Sequence, residues 1–310
     1  MAYFRTLVLA LAVASLLGRT FAAEVENTSG LTFAEYEAVE DLVYGHKDGM
    51  ALTLDVLTPK RNAKGLGLIL VSSGSWKSGK SDVAADNIRR REKDHWAQGL
   101  LGGGFTLFVV RHGSSPRYHV PEMIADMNRS VRYVRTIAGD YGADPDRLGI
   151  TSGSSGGHLS LMAALTGDDG NPDAKDPIER VSSHVQCVVA WFPPTDMVNW
   201  GVKNGFNAIG VLRPSLFQQM FGEITDLEQQ LRGISPIYFA TAQSPPLLLI
   251  HGDRDKTVPL QQSKVMQEKY EELGLPVKLI VESGGGHSYW PGIAEEYEEV
   301  WKWFDEYLAE

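Results

Sequence analysis

The chain has 310 residues, 43% of them hydrophobic and 22% charged, an ordinary globular composition with no low-complexity tract or internal repeat. A formal charge of −10 argues against nucleic acid or an anionic membrane as partners. The single cysteine, Cys187, lies within an apolar run, which excludes an intramolecular disulfide and reads as a core residue.

Residues Met1 to Ala23 read as a secretory signal segment. Arg5 supplies a positive start, Thr6 to Leu17 an apolar stretch too short to span a bilayer, and Thr20-Phe21-Ala22-Ala23 a small-residue cleavage site. No cysteine follows directly, so no lipid anchor is expected, and the mature protein is expected to be secreted or periplasmic. Ala38–Tyr44 and Ala51–Leu57 alternate as two strands of an edge hairpin joined through Gly45–Gly49. Leu66–Val71 is unbroken and apolar, as in a strand buried on both faces, and empties into Ser72-Ser73-Gly74-Ser75-Trp76. Asp86–Leu101 predicts a charged helix anchored by Trp96 and Leu100, and Phe105–Val110 a second buried strand.

Between Pro121 and Gly139 the residues Ile124, Met127, Val131, Val134 and Ala138 fall on one helical stripe. Further strands are predicted at 147–151, Val185–Phe192, 243–250 and Val277–Val281, with a helix over Gln261–Leu273. The last helix carries Tyr297, Val300, Trp301, Phe304 and Leu308 on its apolar side. Strands alternating with helices imply an α/β fold, a mainly parallel central sheet covered by helices on both faces. A single catalytic domain over residues 24–310 is the economical reading, with the irregular segment 197–221 as a short cap.

The motif that organises the chain is Gly153-Ser154-Ser155-Gly156-Gly157, which fits Gly-x-Ser-x-Gly with Ser155 as nucleophile between a strand and a helix. Glycines on either side permit the strained turn such an elbow requires. In open parallel sheets ligands gather beyond the carboxyl ends of strands. There stand Asp255, in His251-Gly252-Asp253-Arg254-Asp255, and His287, after Gly284-Gly285-Gly286. Serine, acid, histidine is the chain order of α/β-hydrolases. His287 would act as general base, and Asp255, preferred over Asp253, would fix its tautomer. His251 and His158 read as structural residues. Oxyanion donors are expected from the Gly156 amide and from Gly74 and Ser75 in the loop after the first buried strand. Trp76, Trp200 and Phe206 are the candidate substrate-contacting residues, the last two on the proposed cap. No metal cluster or phosphate-binding loop is visible, so no metal or cofactor is implied.

Several stretches carry a family resemblance: 126–135, Asp144-Pro145-Asp146-Arg147-Leu148-Gly149, Gly153–His158, Pro193-Pro194-Thr195-Asp196, Ser235-Pro236-Ile237-Tyr238 and 245–255. With them the chain resembles bacterial feruloyl-esterase-like and acetylxylan-esterase-like proteins of the α/β-hydrolases. The resemblance implies a secreted serine hydrolase acting through an acyl-enzyme on a small-molecule or polysaccharide-linked ester. Two departures stand out: Ser72-Ser73 replaces the usual His-Gly of the oxyanion loop, and Ser154 replaces an acidic residue that some relatives carry. The 245–255 stretch is also similar to prolyl-oligopeptidase-type peptidases, which makes peptide cleavage the alternative. Those peptidases usually carry a large N-terminal domain, which is not expected here, since only Glu24 to about Tyr36 precedes the first predicted strand. A non-catalytic hydrolase-fold binding protein, the third reading, would be expected to lack a triad member.

Overall fold

The computed structural model describes residues 34–79, 95–201, 225–288, 290, 293 and 295–309. The expected signal segment, Phe206 and most of the expected cap (202–221) lie outside the described residues.

Eight strands form one sheet: β1 (Tyr36–Lys47), β2 (Met50–Pro59), β3 (Gly67–Ser72), β4 (Thr106–Arg111), β5 (Leu148–Gly153), β6 (Cys187–Trp191), β7 (Leu247–Gly252) and β8 (Val277–Glu282). Their order across the sheet is β1-β2-β4-β3-β5-β6-β7-β8. β1, β2 and β4 pair antiparallel, and every pairing from β4 to β8 is parallel. The edge hairpin is tighter than the sequence suggests. β1 and β2 run on to a two-residue turn, Asp48-Gly49, with φ of 48° and 77°. That left-handed pair matches the twist of the flanking strands.

The helices are α1 (His95–Gly102), α2 (Val120–Ile137), α3 (Ser155–Leu165), α4 (Leu227–Arg232), α5 (Gln261–Glu272) and α6 (Glu296–Leu308). α1 is described only from His95, so the start of the helix predicted over Asp86–Leu101 is outside the described residues. The unbroken apolar strands divide their side chains by the period of two. Ile69, Val71, Phe108, Val110, Val188 and Ala190 pack with α2, α3 and α5, whose contributions include Met127, Leu159 and Met266. Leu68, Leu70, Leu107, Val109, Cys187 and Val189 pack on the other face with α1 and α6. This is the α/β-hydrolase fold.

Close approach between the layers fixes some residues as glycine. A Cβ on Gly149 in β5 would stand 2.6 Å from Phe304 Cε1 and 2.9 Å from Leu68 Cδ2. Phe304 is fully buried in α6, so neither ring nor strand can withdraw cheaply. Gly149→Ala is expected to destabilise the fold by about 1–3 kcal/mol, the cost of overpacking a filled core. Urea unfolding checks it, and a stability equal to the parent would show that Phe304 can move aside.

Candidate active site

β5 ends at Gly153 near the middle of the sheet, and α3 begins at Ser155. The residue between them, Ser154, has φ 56° and ψ −127°, a strained conformation for a residue with a side chain. It is locked by the bond from its own N–H to the Trp191 carbonyl, 2.9 Å, and by His158 N–H donating to the Ser154 carbonyl, also 2.9 Å. The turn lifts a half-buried Ser154 Oγ to 2.9 Å from His287 Nε2. On the other side of that ring, Nδ1 stands 2.7 Å from Asp255 Oδ2. A carboxylate accepts only, so Nδ1 carries the proton and Nε2 accepts from the Ser154 hydroxyl.

The elbow register therefore differs from the sequence expectation. Ser155, read as the nucleophile, is 1% exposed, and its Oγ lies 3.1 Å from Ser73 Oγ, while His287 bonds Ser154 instead. The physical reason lies in the positions two before and two after Ser154. Position 156 must be glycine, since a Cβ there would meet Ser152 Oγ at 2.2 Å and the Val71 carbonyl at 3.1 Å. Position 152 tolerates serine, whose hydroxyl donates to that same Val71 carbonyl at 2.7 Å. Gly156, expected as an oxyanion donor, is thus the residue of close approach, and the amide directly after the elbow serine is that of Ser155.

Asp255, the carboxylate expected to orient the histidine, is the one that lies against His287. Its Oδ1 accepts from the N–H groups of Thr257 (2.7 Å) and Val258 (2.9 Å). Its Oδ2 faces His287 and lies 3.4 Å from Nε2 of buried His251. Burial on its own would raise this carboxyl, but the hydrogen bonds from His251, His287 and the Val258 N–H hold it well below the usual carboxylate range. Asp253, the rival acid, instead accepts from Gly284 N–H at 2.7 Å and ties the two loops together. The same loops touch where Gly252 meets Gly285, with room for no Cβ: one on Gly252 would stand 2.3 Å from the Gly285 carbonyl oxygen. His251 is structural, as expected: Nε2 donates to Val258 O (2.9 Å), and Nδ1 pairs with Ser263 Oγ (2.8 Å).

The loop after β3 departs from expectation. Gly74 N–H donates to the Lys77 carbonyl (2.9 Å) and Lys77 N–H returns the bond (3.0 Å), so the Gly74 amide is committed within its own turn. Ser75 and Trp76 turn the chain there with φ of 52° and 57°, leaving Ser75 on the exposed tip of the loop. Trp76, expected to touch substrate, is 5% exposed and donates its indole N–H to His158 Nδ1 at 3.1 Å. Trp200 is likewise a core residue, packed in the same cluster as Met197 and Val198. Phe192 carries no motif signal and went unrecognised in the sequence. Its φ is 38°, and its ring meets the His287 ring edge-on at 4.8 Å between centroids.

A model of the BD-FAE family matches residues 54–270, more than half of the chain. The chain belongs to the BD-FAE family. It is 28% identical to Esterase LipQ of Mycobacterium tuberculosis (strain ATCC 25618 / H37Rv) over 254 residues, 80% of this chain and 56% of that protein. It is also 28% identical to the probable carboxylic ester hydrolase LipM of the same strain over 237 residues, 75% of this chain and 51% of that protein. The chain spans about half the length of the curated relatives it matches. Among solved structures it is similar to a truncated form of carbohydrate esterase from gut microbiota, with a TM-score of 0.72 and 27% identity, covering 88% of this chain and 96% of that one. An acetyl ester-xyloside bifunctional hydrolase from Caldicellulosiruptor lactoaceticus shares the fold, with a TM-score of 0.71 and 20% identity over 86% of this chain and 95% of that one.

Two buried histidines of this BD-FAE chain are neutral rings, and His158 braces the site. His158 Nε2 donates to the Ile234 carbonyl (2.7 Å) while Nδ1 accepts from Trp76, so it joins the β3 loop, α3 and the turn at Ile234. His112, after β4, donates from Nδ1 to the Gly113 carbonyl at 2.7 Å. Burial pushes both down to about 4, against the smaller pull of those backbone hydrogen bonds. An unfolded histidine titrates near 6.5. The unfolded chain therefore takes up protons between about pH 6.5 and 4 that the folded chain refuses. The stability these rings contribute is complete above about pH 6.5 and lost as pH falls towards 4, by up to about 1.4 kcal/mol per pH unit for each. Urea unfolding at intervals from pH 7 to 4 is expected to show this decline, with a shallower slope in His112→Asn. An identical slope in that variant would show that His112 protonates within the fold.

Proposed function

We propose that this chain hydrolyses carboxylic esters through an acyl-enzyme formed on Ser154. One observation carries the reading: a strained elbow holds the Ser154 hydroxyl 2.9 Å from the imidazole nitrogen opposite the one bound by Asp255. A serine hydroxyl is a weak nucleophile, so it needs a base at that distance. As Oγ attacks the ester carbon, its proton passes to His287 Nε2. Asp255 remains ionised and stabilises the imidazolium that forms. Collapse of the tetrahedral adduct breaks the bond to the alcohol oxygen, which leaves with the proton from Nε2. Water repeats the sequence, giving the carboxylic acid and restoring Ser154.

The oxyanion of each adduct needs donors already in place. The Ser155 N–H, first in α3, is the one the elbow supplies by position, and the positive end of the helix favours the charge. The similarity to a carbohydrate esterase supports an acyl group carried on a sugar as the substrate class, and the names of LipQ and LipM support ester cleavage in general.

Ser154→Ala is expected to abolish hydrolysis of aryl acetates and labelling by a fluorophosphonate. Ser155→Ala keeps the attacking hydroxyl and is expected still to turn over and still to label. Both are read by initial rates and by mass spectrometry of the labelled peptide. Labelling at Ser155 in the parent would sink the proposal.

A further inference from the structure

We infer that the Ser73 hydroxyl is an oxyanion-hole donor, held in place by the Ser155 hydroxyl. The inference rests on the proposed acyl-enzyme reading and names a residue it does not include. Ser73 follows the last residue of β3, and Ser155 follows the elbow serine, so the pair lies beside the residue that carries the attacking hydroxyl. Their Oγ atoms are 3.1 Å apart, and either can donate. Ser155 is 1% exposed, whereas Ser73 is only partly covered and lies on the accessible side of the pair.

The two directions of this bond differ in what they leave Ser73 to offer. If Ser155 Oγ–H donates to Ser73 Oγ, the Ser73 proton is left to turn outward. A developing oxyanion selects that arrangement because it offers the stronger acceptor. The alternative backbone donor further along the loop is committed, since Gly74 N–H is bonded to Lys77 O within the loop's own turn. The turn is fixed further by Ser78 Oγ donating to the Ser72 carbonyl at 2.6 Å and by Ser115 N–H donating to the Trp76 carbonyl at 3.0 Å. Ser73 thus stands on a braced support, which a donor must have if it is not to reorganise during reaction. In this assignment Ser73 touches the reacting oxygen and Ser155 is a positioning residue.

The experiment compares Ser73→Ala, Ser73→Gly, Ser73→Thr and Ser155→Ala with the parent on an aryl acetate, measuring kcat and KM separately, and measures Ki for a trifluoromethyl ketone. Loss of one oxyanion donor costs about 10²–10³-fold in kcat. Ser73→Ala and Ser73→Gly are expected to lose about 10²-fold in kcat with KM nearly unchanged, and to bind the ketone more weakly by a similar factor. Ser73→Thr keeps a hydroxyl and is expected to stay within about ten-fold. Ser155→Ala is expected to fall between, because the donor remains but is no longer held. Parent-like kcat in Ser73→Gly overturns the inference, as does a loss carried by KM with ketone affinity unchanged. Should Ser73→Ala fail to fold, the glycine and threonine variants still decide the matter, since they differ in the hydroxyl. Ser154→Ala is run alongside. If it still turns over, the acyl-enzyme reading has failed. If it is dead while the Ser73 variants match the parent, only this inference has failed.

Discussion

The site depends on one packing constraint, the approach of α3 to the ends of β3 and β5. Gly156 has to lie so close to Ser152 and to the Val71 carbonyl that no Cβ fits. With the helix pressed down, the chain can pass from strand to helix only by forcing the intervening residue to positive φ, and that residue is Ser154. Such a conformation costs on the order of 1–3 kcal/mol and persists only when its surroundings over-determine it. Here they do so through the bonds from Ser154 N–H to Trp191 and from His158 N–H to Ser154 O. Strain and exposure are one event, since the bend that costs energy also lifts Oγ out of the sheet.

Most of the fold was legible because the sheet is buried on both faces. Runs such as Leu66–Val71 and Val185–Phe192 have no polar side to interrupt them, and β3 and β6 fall within two residues of these two runs. The helical stripes were equally plain, as with Met127, Val131 and Val134 on α2. Turns were harder. The tight Asp48-Gly49 turn was hidden by Gly45, which sits inside β1 beside a register shift and reads as part of a loop.

The acid and the histidine of the site were legible from their places after β7 and β8, but the elbow register was not. A pattern of letters is satisfied by Gly153 and Gly157 around Ser155. The structure asks only for a residue that fits at 152 and for no Cβ at 156. Serine at 152 meets the first demand by donating its hydroxyl to a main-chain oxygen, and a pattern written in glycines does not register that. Trp76 and Trp200 misled for a related reason. Large aromatics near a site read as walls for substrate, yet both are core, and nothing local in the sequence reveals that the indole N–H of Trp76 finds His158.

The charge on Asp255 explains why the His158 brace is neutral. Asp255 is a buried carboxylate held ionised by donors from His251, His287 and the main chain. In surroundings of low dielectric, a further charge on His158 would act at range on any charge that develops at Ser154 and His287. Placing the uncharged His158 ring between the Ile234 carbonyl and the Trp76 indole N–H keeps the loops rigid without adding such a field. Protonated His158 would also present a second N–H to the Trp76 N–H, leaving two donors face to face. The loop after β3 is therefore tied to the elbow helix by a bond that exists only while His158 stays neutral. On the proposed mechanism, the alignment of that loop with Ser154 and the stability of the fold share this one protonation state.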